Sequence, residues 1–197
     1  MTDDETLRVY AHKAAEYEEV TGRAAAEDPL LAKFISELPP GSHVLDLGCG
    51  PGLCASAIAA AGHRVTATDA VPEMIERAKK HAGVTAQLAT FDQIEGEDAY
   101  DGVWANFSLL HAARDAMPRH LAALHKALKN DGLFHIALKS GQDSKRDRLG
   151  RLYTYYTDDE LAALLCEAGF TVTDRFSGRD KGLDGSLADW IALHAHA

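Results

Sequence analysis

Asp46 and three glycines, Gly48, Gly50 and Gly52, stand at every second position from the end of an apolar run, Val44-Leu45-Asp46-Leu47. Glycine has no Cβ, so a backbone built this way can turn sharply and a ligand can come close to it. Cys49 lies within the turn and is counted with it as a ligand contact, a spacer rather than a nucleophile. Pro51 suits a first helical turn, and the Ala-rich stretch from Leu53 to Ala61 continues as a helix whose first N–H groups point into the turn. A nucleotide-like ligand is the expectation. A second acid, Asp69, follows Gly52 by 17 residues, near the spacing of about 20 at which a carboxylate accepts both hydroxyls of a ribose. Ala70 goes with it into the site. The competing reading of Asp69 is a cap for the helix that Pro72 and Glu73 open.

The third glycine comes one place too early for the dinucleotide fingerprint G-x-G-x-x-G, which has glycine where Leu53 stands. Asp46-x-Gly48-x-Gly50-x-Gly52 instead resembles motif I of the class I S-adenosylmethionine (SAM) dependent methyltransferases, an acidic residue followed by x-G-x-G-x-G. Further matches come in order: Asp69, Asp92, the stretch Tyr100-Asp101-Gly102-Val103-Trp104-Ala105-Asn106, and two closing strands. The resemblance spans roughly Leu38 to the C-terminus. It implies an α/β fold: a doubly wound, Rossmann-like seven-stranded sheet, mostly parallel with an antiparallel last strand, and helices on both faces. It implies SAM as cofactor and S-adenosylhomocysteine (SAH) as product. It also implies that Phe91 packs on the adenine and Asp92 takes its exocyclic amine, the alternative being that Asp92 is a solvated loop acid. An N-terminal helix often covers the cofactor in this family, so Tyr17 either reaches the ligand or packs in the core.

These residues need elements to hold them. Leu7 to Val20 reads as a helix with Tyr10, Ala14 and Tyr17 on one face, and Asp28-Pro29 opens a second. Strands follow at Val44–Leu47, Arg64–Thr68, Val84–Leu88, Tyr100–Asn106 and Leu133–Leu138, with helices between them, so the βαβ units are right-handed. Lys129-Asn130-Asp131-Gly132 reads as the turn that ends a helix marked by Leu121, Leu124 and Leu128. Ligands in open parallel sheets bind beyond the carboxyl ends of the strands, which brings in Asn106, Phe107 and His111. His111 is the candidate catalytic residue, set against the ordinary reading of a packed or solvated side chain. Phe170–Phe176 and Leu187–Leu193 read as a closing hairpin.

Lys139 to Tyr156 departs from this pattern. Basic residues cluster there in a chain of formal net charge -10, directly before Tyr153, Tyr155 and Tyr156. Residues 139–156 are a candidate substrate lid, in which Arg148, Arg151 and Tyr153 close over an acidic, carboxylate-bearing small molecule through bidentate guanidinium pairing and an aromatic wall.

The 197 residues suffice for one domain, taken as 1–197 with 1–38 as a helical cap. The acidic balance disfavours nucleic acid, because phosphate contacts dominate that affinity. No apolar run is long enough to span a membrane. The N-terminus lacks a signal peptide's pattern, and the three cysteines lack metal-ligand spacing, so no metal is expected. A cytoplasmic protein with reduced thiols, monomeric or homodimeric, follows. Two other functions stay open: a SAM-binding protein without catalysis, and a nicotinamide-dependent oxidoreductase, which Asp46 and the early third glycine oppose.

Overall fold

The computed structural model describes residues 3–197; the first two residues of the expected 1–38 cap lie outside them. Two helices lead in, α1 (Asp4–Ala26) and α2 (Pro29–Glu37). Strands and helices then alternate: β1 (His43–Leu47), α3 (Leu53–Ala60), β2 (Arg64–Asp69), α4 (Pro72–Ala78), β3 (Val84–Leu88), β4 (Tyr100–Asn106), α5 (Met117–Ala127) and β5 (Leu128–Lys139). A short hairpin, β6 (Ser144–Arg146) with β7 (Leu152–Thr154), precedes α6 (Asp158–Glu167), β8 (Thr171–Lys181) and β9 (Leu187–His196). The seven-stranded sheet runs β3-β2-β1-β4-β5-β9-β8. β9 is antiparallel to both its neighbours, and β1 to β5 are parallel, as the resemblance implies.

Alternation along the strands sorts the core into two layers. Leu45, Leu47, Val103, Ala105, Phe134 and Ile136 pack with Leu121 and Leu124 of α5 and Leu161 and Leu165 of α6. Val44, Val65, Ala67 and Trp104 face the other way, against Phe34 of α2, Ile58 of α3 and Ile75 of α4. The sheet is thereby covered on both faces. Strand order reverses between β1 and β4, and a ligand crevice forms beyond the carboxyl ends at such a point.

Three elements differ from expectation. α1 begins at Asp4 because Asp3 caps it, Oδ2 accepting from Thr6 N at 2.9 Å and Thr6 Oγ1 at 2.6 Å. Lys129–Gly132 is no helix-ending turn: β5 already pairs with β4 at Leu128↔Tyr100, then slips to Leu133↔Gly102 through a bulge. Asp131, not Gly132, takes the left-handed conformation there, with φ 63°, while a Cβ on Gly132 would lie 2.8 Å from Lys129 O. Within the candidate lid, 139–156, Lys139 still belongs to β5 and the β6–β7 hairpin forms. The hairpin is fastened to α1: Arg146 holds both carboxylate oxygens of Asp3, at 3.0 and 2.8 Å, and Leu152 N donates to Thr6 Oγ1 at 2.8 Å.

Candidate active site

The turn after β1 is held from across the sheet. Gly48 N and Cys49 N both donate to Thr68 O, at 2.8 and 2.9 Å, and Gly48 and Gly50 have φ of 72° and 53°. A Cβ at Gly48 would overlap the Ser108 side chain, and one at Gly50 would lie 3.3 Å from Tyr17 Cε1. The close neighbour of Gly50 is therefore the ring of Tyr17, which α1 lays over the turn. Gly52 is placed differently from the expectation. It lines neither cavity described below, and its missing Cβ makes room for Ala78 Cα at 2.8 Å, so this glycine packs α4 against the turn.

Asp69 accepts from Gly50 N and Val71 N, both at 2.9 Å. It fixes the turn and the residue before α4, but it caps none of that helix's own N–H groups, since the N-cap is Val71 without a side-chain bond. Asp46 points into the space under the turn, 2% exposed, and its Oδ2 has no hydrogen-bond partner. Burial pushes its carboxyl up to about 7. Burial likewise raises the Asp69 carboxyl and the Cys49 thiol, so Cys49 is no nucleophile at neutral pH.

Two cavities open here. The smaller, of about 80 Å³, has Asp69, Ala70 and Phe91 in its wall. The larger, of about 690 Å³, has Asp46, Cys49, Lys139, Arg151, Tyr153 and Trp190. Tyr10, Tyr17, Gly48, Gly50, Asn106 and Phe107 line both. Phe107, just past β4, has φ 52°, a strain of about 1–3 kcal/mol for a non-glycine residue, and its N–H donates to Ala137 O at 2.9 Å.

Asp92 is not brought to this space. It sits one residue past Phe91 in a single 3-10 turn, so the two side chains diverge, and Asp92 pairs with Arg119 at 2.7 Å on the surface. Arg148 is exposed and lines neither cavity. Arg151 is 2% exposed, but its charge is matched: Nε and Nη2 reach Asp147 Oδ2 at 2.9 and 2.6 Å, and Nη1 reaches the Tyr10 hydroxyl at 3.0 Å. His111 is half-buried, lines the smaller cavity, and sits between Tyr10 and Leu152 O. Sequence reasoning missed Ser108, whose buried Oγ has no partner, and Trp190; it noted Lys139 only as one of a basic cluster. Ser108 follows Phe107 directly in the chain, whereas nothing local marks Lys139 and Trp190, which reach the site through the pairing of β5 with β9.

The residues fit SAM. Asp46 Oδ2 is an unmatched acceptor for an ammonium group, Gly48 and Gly50 leave the turn without side chains, and Asp69 offers a carboxylate at the end of β2.

Residues 44–132 match a family described as a methyltransferase domain. A ubiquinone biosynthesis O-methyltransferase of Methylocella silvestris is 40% identical over 77 residues, 36% of this chain and 30% of that protein. A ubiquinone/menaquinone biosynthesis C-methyltransferase of Rubrivivax gelatinosus is 34% identical over 107 residues, 52% of this chain and 42% of that protein. The chain thus spans less than half the length of these curated relatives. The 1,6-didemethyltoxoflavin N1-methyltransferase of Burkholderia thailandensis, solved with bound 1,6-didemethyltoxoflavin and SAH, superposes with a TM-score of 0.78 at 29% identity, covering 98% of this chain and 87% of that one.

Proposed function

Because this chain belongs to the class I SAM-dependent methyltransferases, we propose that it transfers the methyl group of SAM to a small molecule held in the larger cavity. The observation that carries this reading is the run of shared walls, Gly48, Gly50, Asn106 and Phe107, which joins the space beside Asp69 to the space beside Asp46 and Trp190. Cofactor and substrate residues thus open on one another.

SAM, when bound, supplies a methyl group already activated on a sulfonium. What remains for the chain is alignment and the exclusion of water. Asp46 holds the ammonium group, Asp69 the ribose, and Phe91 stands at the adenine end. Tyr10 and Tyr17 of α1 roof the turn, and both phenols are raised by burial, so they act as neutral hydrogen-bonding walls. Phe107, Tyr153 and Trp190 enclose the acceptor.

The net charge of -10 supports a small-molecule acceptor over nucleic acid. Among the described residues no helix is long and apolar enough to cross a membrane. A monomer or homodimer in the cytoplasm completes the reading. The relatives act by name on oxygen, carbon and nitrogen, so the product's mass spectrum and NMR assign the methylated atom.

The test is calorimetric titration with SAH and with NADH, followed by turnover of SAM across a metabolite panel. SAH binding with SAH production supports the proposal. SAH binding without turnover of any metabolite favours a non-catalytic SAM-binding protein, and NADH binding in its place an oxidoreductase.

A further inference from the structure

The cations around the larger cavity differ in how they are matched. Arg151 spends its charge on Asp147 and Tyr10. Lys181 is exposed on the β8–β9 hairpin at the rim. Lys139 is the last residue of β5, two past Ala137, and both line the cavity. Its ammonium lies 4.2 Å from the centre of the Tyr153 ring, a favourable contact that leaves the charge unneutralised. Among the described residues, no carboxylate reaches ion-pair distance of it. Asp184 and Asp147 face it from farther off, against Arg151 and Lys145. Asp184 is engaged at home, its Oδ1 accepting from Ser186 N and Oγ at 3.1 and 2.6 Å. Burial first, then the charge of Arg151, lowers the Lys139 pKa, which fits a cation set in a positive, partly dried environment.

The walls beside it are flat. Trp190 pairs across the sheet with Lys139, and its indole lies over Gly178, where a Cβ would overlap it. Phe107 meets Trp190 edge-on, ring centres 6.3 Å apart at 88°. A half-buried, unpaired ammonium over the Tyr153 ring, in a cavity also lined by Phe107 and Trp190, suits a planar ligand with an anionic edge.

Resting on the methyltransferase reading, we infer that Lys139 is the substrate-anchoring residue and that the acceptor is a planar aromatic acid. Its carboxylate lies on Lys139 Nζ and its ring among Phe107, Tyr153 and Trp190. This keeps the acidic acceptor suggested by the basic cluster but moves the anchor from Arg148 and Arg151 to Lys139.

The experiment titrates the SAH-loaded protein with 3,4-dihydroxybenzoate and with its neutral amide, 3,4-dihydroxybenzamide. The wild type is expected to prefer the acid by about tenfold or more, the value of a hydrogen bond between charged groups. Lys139→Met removes the preference and Lys139→Arg retains it, while both variants bind SAH as the wild type does. The inference is overturned if neither probe binds, if the wild type does not prefer the acid, or if Lys139→Met keeps the preference. Loss of the preference in Lys139→Arg also overturns it, since a cationic anchor keeps its charge in that variant. SAH binding is read in the same titrations: a wild type that fails to bind SAH sinks the cofactor reading, and one that binds SAH but ignores the acid sinks only the Lys139 assignment.

Discussion

The hydroxyl of Tyr10 lies 2.9 Å from Nε2 of His111. Nδ1 of His111 is 2.7 Å from the Leu152 carbonyl, which can only accept, so Nδ1 carries the proton and Nε2 receives that of Tyr10. Arg151 donates to the same hydroxyl at 3.0 Å. His111 therefore ties α1, the end of β4 and the β6–β7 hairpin together. Burial pushes its pKa down to about 4. Both nitrogens are engaged, and the imidazole offers no lone pair to a substrate. The catalytic assignment made from sequence is replaced in our proposal by a positioning one.

That assignment is decided by two variants. Tyr10→Phe and His111→Gln each remove a link worth about 0.5–1.5 kcal/mol, so both should weaken SAH binding several-fold and lower turnover to a similar degree. A general base would behave differently: His111→Gln alone would lose about 10²–10⁴ in rate while Tyr10→Phe stayed near wild type. Parallel measurement of SAH affinity and kcat separates the two.

The half-buried histidine and the buried acid respond to pH with opposite sign. His111 falls from 6.5 to about 4 on folding, so its contribution to stability is present above pH 6.5 and is lost as pH falls toward 4. Asp46 rises from 3.8 to about 7, so its contribution is present below 3.8 and is lost as pH rises through 7. Ligand-free Asp46→Asn should therefore exceed the wild type in thermal stability by more at pH 8 than at pH 5. The ammonium of SAH draws Asp46 back to its ionised form, so binding below pH 7 should release a proton. Wild-type affinity should climb with pH and level off above 7, while Asp46→Asn stays flat and weaker. Calorimetry in two buffers of different ionisation enthalpy reads the proton directly.

Asp69→Ala should lower SAH affinity roughly ten- to hundredfold, since a charge-assisted hydrogen bond is worth about 1.5–3 kcal/mol. Stability should drop as well, because Gly50 N and Val71 N lose their shared acceptor. A folded variant that binds SAH normally would remove Asp69 from the site.

What could be read from the sequence was local. The acid-glycine turn, the acid after β2 and the strand-helix alternation are each set by neighbours within one βαβ unit, and each stands where expected. Residues whose role depends on distant partners were not legible. Phe91 and Asp92 are adjacent, and nothing in the chain says which one a single 3-10 turn aims inward. Arg148 and Arg151 are separated only by where β7 begins. His111 looks like a base until Tyr10, 101 residues away, is seen to occupy it. Gly52 completes the motif, yet its space belongs to Ala78.

The last prediction separates glycines that look alike in sequence. Both Gly48 and Gly50 hold positive φ, so alanine at either costs about 1–2 kcal/mol from the left-handed conformation alone. Gly50→Ala adds only a contact at 3.3 Å with the edge of Tyr17, a ring on α1 that can yield. Gly48→Ala drives its methyl into Ser108, a buried residue just past β4, where overpacking costs about a further 1–3 kcal/mol. Gly50→Ala should thus lose only the conformational cost of about 1–2 kcal/mol but bind SAH more weakly, because the new methyl lifts Tyr17 from the turn. Gly48→Ala should lose stability first, and Ser108→Gly in the same chain should restore the steric part but not the conformational part. Denaturant unfolding of the single and double variants gives the coupling. If Ser108→Gly restores nothing, the cost at Gly48 is conformational alone and the close approach of β4 to the turn is not what selects glycine there.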